Sequence, residues 1–204
     1  MIKIKHFVMG HGSTNCYILV DENKNCVIVD CEGNSDIYIK YFEDNNLKPS
    51  YIFLTHGHAD HIGAVNKLKE KYNCKVCAGE NEQRLLKEPT INLSHFMGGD
   101  ISIIPDILLK DKQKFDVGNI NFTVMNTPGH TEGSICLFVE DCIFTGDTLF
   151  QGSCGRTDLE TGNHKEILES LKKLSNIEEN YRVFCGHGPS TTLDIERETN
   201  PFMR

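Results

Sequence analysis

Thr55-His56-Gly57-His58-Ala59-Asp60-His61 holds three histidines and an aspartate within six residues. The apolar run at 51–54 leads straight into it and reads as a buried strand, so the cluster lies on a loop at a strand's end. Imidazole and carboxylate are the ligands that zinc and other borderline first-row metals take. His56 and His58 are two residues apart, so an extended backbone turns both to one side. Asp60 and His61 begin the next helix, predicted to run to Tyr72, whose first turn projects side chains back toward the strand end. One short loop can thereby serve two neighbouring metal positions. A lone loop histidine would read as an ordinary polar residue. Four ligand-type side chains at this spacing after a strand point to metal.

Three later segments repeat the arrangement of a ligand-type residue beside glycine at a strand's end. Thr127-Pro128-Gly129-His130 follows a strand predicted over 120–125, and Thr145-Gly146-Asp147 follows 142–144. Cys185-Gly186-His187-Gly188-Pro189 follows 181–184. Glycine there allows a sharp turn and a close backbone approach. Each segment alone could be a plain turn; the repetition gives them weight.

Outward from these motifs, short apolar runs predict strands over 2–8, 16–20, 26–29, 75–78 and 134–139. Helical spacing predicts helices over 37–42 with Ser35 as cap, 61–72, 81–87 and 164–174, the last with Ile167, Leu168, Leu171 and Leu174 on one face. Residues 88–111 read as irregular. Strands alternating with helices suggest sheets covered by helices, and 1–204 is expected to form one domain.

The chain has 204 residues, 21 basic and 29 acidic, a formal charge of −8. That balance speaks against nucleic acid, whose binders are usually basic. No apolar run approaches the ~18 residues of a membrane span, and the first residues lack a secretory signal, so a cytoplasmic protein is expected. Nine cysteines, an odd number, fit a reducing compartment and a role as small buried filler. Cys74-Lys75-Val76-Cys77 lies on a predicted strand, where positions three apart face opposite sides, and reads as structural.

With His56-x-His58-x-Asp60-His61, His130, Asp147 and His187 in this order, the sequence resembles the metallo-β-lactamase superfamily over nearly its whole length. The resemblance implies an α+β fold, an αββα sandwich of two mixed β-sheets with helices on both outer faces. It implies that His56, His58 and His130 bind one metal, that Asp60, His61 and His187 bind a second, and that Asp147 bridges them. The implied cofactors are two divalent ions, zinc, with iron or manganese as alternatives. Asp60 and Asp147 are the implied catalytic carboxylates. Two metals about 3.5–4 Å apart can lower the pKa of a bridging water, giving a hydroxide that attacks a carbonyl carbon. Two such ions, two aspartates and one hydroxide leave about +1 at the site, which favours a small anionic substrate.

The stretch from Thr145 through Ser153-Cys154-Gly155-Arg156-Thr157-Asp158 is similar to that of glyoxalase II, the hydroxyacylglutathione hydrolases, which split glutathione thioesters. Arg156 then corresponds to the basic residue on the glutathione carboxylate, a task suited to a guanidinium fork. Only 17 residues follow His187, which leaves no room for that family's helical C-terminal domain. The ending, with Glu196 and Asn200, is more like compact bacterial glyoxalase II-like hydrolases. A small thioester is therefore a firmer expectation than glutathione as its carrier. The alternative is a persulfide dioxygenase using one iron, whose loop also resembles residues 153–158. Flavodiiron proteins, tRNA-processing nucleases and exported β-lactamases fit less well. Asp30 resembles an aspartate that orients a ligand; Thr55 and Thr127 are candidates for similar support. Residues 88–100 could wall the substrate pocket, with His95 as a surface residue. His6, His11 and His164 receive no role.

Overall fold

The computed structural model describes residues 2–10 and 12–204; His11 lies outside them. One sheet orders β1 (Lys3–Met9), β2 (Thr14–Val20), β3 (Asn25–Val29), β4 (Lys48–Phe53), β5 (Lys75–Gly79) and β6 (Ile107–Leu109) side by side. The other orders β14 (Thr191–Thr192), β13 (Arg182–Cys185), β10 (Cys142–Gly146), β9 (Ile135–Val139), β8 (Ile120–Asn126) and β7 (Lys114–Val117). A two-stranded ribbon, β11 (Leu149–Phe150) and β12 (Ser153–Cys154), lies between β10 and the later helices in sequence. The helices are α1 (Ser35–Asp44), α2 (Ala59–Ile62), α3 (Val65–Tyr72), α4 (Gln83–Lys87), α5 (His164–Ser175) and α6 (Leu193–Thr199).

Alternation along the strands divides the interior into three layers. Cys16, Ile18, Ile28, Ile52 and Leu54 face Tyr38 and Phe42 of α1 and Val65 and Leu68 of α3. Tyr17, Leu19, Val27, Val29 and Phe53 face the opposite way, onto Phe122, Val124, Leu137 and Phe144 of the second sheet. Cys136, Ile143 and Val183 face Ile167, Leu171 and Leu174 of α5 and Leu193 of α6. This is the αββα sandwich. Because both faces of β2 and β3 are covered, these strands read as continuous apolar runs rather than alternating ones. Each large side chain so buried stabilises the fold by roughly 1.5–3 kcal/mol. Eight cysteines are buried and Cys154 is half-buried; Cys74 and Cys77 fall into different layers, as their spacing requires.

Local differences from the sequence reading have physical causes. The helix expected over 61–72 is broken at Gly63 and Ala64. The His61 carbonyl accepts the Cys31 N–H and the Ala64 N–H goes to the Cys31 carbonyl, both at 2.9 Å, so a neighbouring loop takes bonds the helix would have made. Asn34, not Ser35, caps α1 by accepting the Asp36 N–H. Leu168 is exposed, and Ser170 takes its place on the buried face of α5. Residues 88–111 contain a 3-10 turn at Ser94–Met97 and the edge strand β6. Strand β7, the two-residue strands β11, β12 and β14, and helix α6 are not foreseen by the sequence reading. The alternation Phe115, Val117 before Gly118-Asn119 was a readable hairpin signal, and Val117 does pair with Ile120 across that turn.

The topology brings the motif loops to one end. β10 runs parallel to β13, and β8 runs parallel to β10 because β9 is antiparallel to both. The C-terminal ends of β8, β10 and β13 therefore share an edge. There Ile135 N–H bonds the Thr55 carbonyl at 2.9 Å and Asn15 N–H bonds the Gly186 carbonyl at 2.7 Å, joining the sheets. Gly146 has φ +49°, and a Cβ on it would come within 2.3 Å of Thr55 Oγ1. Only glycine allows Asp147 to leave the strand this close to the His56 loop.

Candidate metal centre

Among the described residues, three groupings bring possible ligand atoms within 4.8 Å of one another: His56, His58 and His130; His56, His61 and Asp147; Asp60, His61 and His187. All seven residues of the sequence prediction are thus gathered in one place. His56, His58, His61 and His130 are buried, whereas the side chains of Asp60 and His187 are 27% and 25% exposed. The cluster opens to solvent on the Asp60–His187 side. Asp147 sits in the middle: Oδ1 is 3.3 Å from His61 Nε2, and Oδ2 is 3.5 Å from His187 Nε2 and 3.7 Å from His130 Nε2.

The surrounding acceptors select one nitrogen on each ring. His61 Nδ1–H donates to Asp30 Oδ2 at 2.8 Å, His130 Nδ1–H to the Arg156 carbonyl at 2.8 Å, and His187 Nδ1–H to the Gly12 carbonyl at 3.0 Å. The Thr55 hydroxyl donates to Asp30 Oδ2 at 2.7 Å, so toward His56 Nδ1, 3.2 Å away, it can only accept. In all four rings Nε2 is therefore the nitrogen turned into the cluster: His56 Nε2 is unpartnered, His130 Nε2 lies 2.9 Å from His58 Nδ1, and His61 and His187 Nε2 face Asp147 and Asp60 at 3.3 and 3.2 Å. A metal-ligating histidine is usually oriented in this way. Asp30 itself is buried with φ +54°, a conformation aspartate tolerates better than most residues.

The donor set fits a metal. His56 Nε2, His58 Nε2 and Asp147 Oδ1 are buried without a hydrogen-bond partner. Such orphans are rare and costly unless something binds them. Burial, followed by the neighbouring histidines, holds His56 well below the ordinary imidazole range. The same causes, burial and then His130, bring His58 down to about 3. Their lone pairs are thereby kept free. Burial works against Asp60 and Asp147, but the neighbouring histidines, His187 foremost for Asp60 and His61 for Asp147, prevail and hold both carboxyls low. This cluster has the chemistry of two adjacent metal positions.

The profile of the metallo-beta-lactamase superfamily matches residues 9–187. The chain belongs to that superfamily. Among curated relatives of this metallo-beta-lactamase-type chain, the probable metallo-hydrolase YqgX of Bacillus subtilis is 34% identical, over 99% of this chain and 98% of its own. The hydroxyacylglutathione hydrolase GloC of Haemophilus influenzae is 32% identical over 93% of this chain and 92% of its own. Among solved structures, BLEG-1, described as a B3 metallo-beta-lactamase, superposes with a TM-score of 0.92 at 36% identity, covering 98% of this chain and 99% of its own. TTHA1623 in a di-iron-bound form superposes at 0.87 with 32% identity, covering 97% of this chain and 99% of its own.

Three further observations bear on the rim of this superfamily site. The guanidinium of Arg156 is exposed and forked onto Asp158, with two N–H···O contacts of 2.7 Å. Its carbonyl, not its side chain, touches the cluster. His95 is exposed and paired with Asp100, outside the cluster. The segment around it reaches the site through Asn92, whose carbonyl accepts the Ala59 N–H at 2.8 Å. Thr127 hydrogen-bonds Thr148 and Cys136 rather than any cluster histidine.

Sequence reasoning missed two buried carboxylates that organise the loops. Glu82 accepts from Gly57 and Thr131, and Glu196 accepts from Gly152, Thr191 and Asn200. Glu82 stands in no motif, and Glu196 enters the sequence reading only through the likeness of the ending, without a structural role. Only tertiary contact reveals them. No helix among the described residues is long and apolar enough to cross a membrane.

Proposed function

We propose that this protein is a dinuclear metal-dependent hydrolase of small anionic thioesters, of the hydroxyacylglutathione type. The observation that carries the reading is the pair of ligand trios sharing Asp147, one trio enclosed and the other open to solvent. Likeness to GloC over nearly the full chain supports thioesters among possible substrates. His56, His58 and His130 would hold one ion, Asp60, His61 and His187 the other, with Asp147 between them. When bound, such ions supply Lewis acidity and an activated water.

The chain's own residues do the rest. The Asp30, Arg156 and Gly12 acceptors keep His61, His130 and His187 in one tautomer. The closed trio excludes water from one side, so substrate approaches past His187 and Asp60. Phe150 stands edge-on to His187, with ring centroids 6.0 Å apart, and offers an apolar wall beside that approach. Arg156 receives a substrate carboxylate at the rim by exchanging Asp158 for it. The product thiol and acid leave by the same open side. We place the protein in the cytoplasm, with no nucleic-acid or membrane partner.

The test combines metal quantification with a thioester-hydrolysis screen, run beside an oxygen-uptake assay on a persulfide. Two ions per chain and thioester turnover are expected. One iron per chain, with oxygen uptake and no hydrolysis, would replace this reading by the persulfide dioxygenase.

A further inference from the structure

Glu82 precedes α4, at the end of β5, and is fully buried. Its Oε1 accepts the Gly57 N–H at 2.6 Å and its Oε2 accepts the Thr131 hydroxyl at 2.9 Å. Gly57 lies between His56 and His58; Thr131 directly follows His130. One carboxylate thus grips both loops that supply the enclosed trio. Its mount is rigid: the Glu82 N–H bonds the Gly79 carbonyl and its carbonyl accepts the Leu86 N–H, both at 3.0 Å.

The surroundings are shaped to admit this carboxylate. A Cβ on Gly133 would come within 2.3 Å of the Glu82 nitrogen and 2.4 Å of Oε2. A Cβ on Gly57 would come within 2.8 Å of both Leu85 and Leu86, so the histidine loop lies flat against α4. No cation pairs with Glu82 among the described residues. An unpaired carboxylate is costly to bury, and simple space filling would be better done by an apolar side chain. What the carboxylate supplies is acceptors for two loops at once. It makes no such contact with His61 or His187.

We infer that Glu82 is a positioning residue for the enclosed metal position: it fixes the spacing between the His56–His58 segment and His130, and so sets metal affinity there without touching the ion. This rests on the metal-centre reading above.

The test titrates metal-free protein with cobalt against a competing chelator. The visible cobalt spectrum distinguishes the all-histidine position from the mixed Asp60–His61–His187 position. Glu82→Ala should weaken the all-histidine position by about 10–100-fold and leave the mixed position unchanged. Glu82→Gln, which keeps the acceptor for Gly57, should restore most of the loss. Thr131→Val removes one contact at nearly constant shape and should weaken the same position alone, while Thr131→Ser should not. It carries the test if Glu82→Ala does not fold. Equal weakening of both positions, or unchanged binding in Glu82→Ala and Thr131→Val, overturns the inference. Failure of the unaltered protein to bind cobalt at either position would instead overturn the metal-centre reading itself.

Discussion

The carboxylate of Asp30 receives the Nδ1–H of His61 at 2.8 Å, and both side chains are buried. The same oxygen takes the Thr55 hydroxyl, which in turn faces His56 Nδ1. One aspartate thereby orients a histidine of each trio. Asp30→Ala should lower affinity for both ions by about 10–100-fold, the usual effect of losing such a partner. Asp30→Asn accepts the unusual backbone and should lose less. Metal retained per chain after dialysis against chelator measures this; full retention in the alanine variant would contradict it.

Asp147 stands between the two trios, and His58 belongs to the enclosed one. Asp147→Ala and His58→Ala should each abolish thioester hydrolysis and reduce metal content. Purified variants with quantified metal and near-normal turnover would remove the assignment.

Arg156 and Asp158 hold one another at the rim. Arg156→Ala should raise KM for acidic thioesters much more than for neutral ones, with kcat little changed. Asp158→Ala frees the guanidinium and should lower KM for the acidic substrates. Steady-state kinetics on a matched acidic and neutral pair reads both effects. Equal shifts for both substrates would exclude a carboxylate anchor.

Burial, opposed by hydrogen bonds from Thr131 and from the Gly57 and Gly133 backbone and aided by the nearby Glu132 charge, pushes the Glu82 carboxyl up to about 7, from an ordinary 4.5. The folded state therefore holds this proton more tightly than the unfolded chain. The stabilisation is fully present below about pH 4.5 and is lost as pH rises through about 7. At ~1.4 kcal/mol per unit it amounts to about 3 kcal/mol. Glu82→Gln has no such proton. In metal-free protein, the unfolding free energy of the unaltered chain relative to this variant should fall by about that amount across the window. Urea titrations at several pH values supply the comparison, and a pH-independent difference would refute it.

Glu196 on α6 accepts from Gly152 N–H at 2.8 Å, Thr191 Oγ1 at 2.7 Å and Asn200 Nδ2 at 2.8 Å. Asn200 also donates to the Ser153 carbonyl at 3.0 Å. The C-terminal helix thus holds the loop that carries Phe150 and Arg156. Glu196→Ala leaves buried donors unpaired and should cost about 3 kcal/mol of stability. KM should rise while bound metal stays constant. Loss of metal in the folded variant would show that the helix acts on the centre directly.

The cluster histidines and aspartates were legible because His56, His58, His130, Asp147 and His187 stand beside glycine after a strand, where local sequence already restricts the backbone, and Asp60 and His61 follow within the same short motif. The sheet-forming runs were legible because strands buried on both faces are apolar without interruption. The break after His61 was not, since His61 and Ala64 bond Cys31, some thirty residues earlier in the chain. Nor was the pairing of Arg156 with Asp158 visible, although its two partners are close in sequence, because it depends on the path of an irregular loop.

By itself the sequence determined the ligand chemistry, most of the long strands and helices, and the superfamily, all of which follow from residue types at short spacings. Only the tertiary structure decided which nitrogen each histidine leaves free, which trio is enclosed, and that Glu82 and Glu196 grip the loops. Those depend on acceptors from distant parts of the chain. A buried carboxylate in a sequence looks like any other glutamate until the fold withdraws it from water and brings the donors to it.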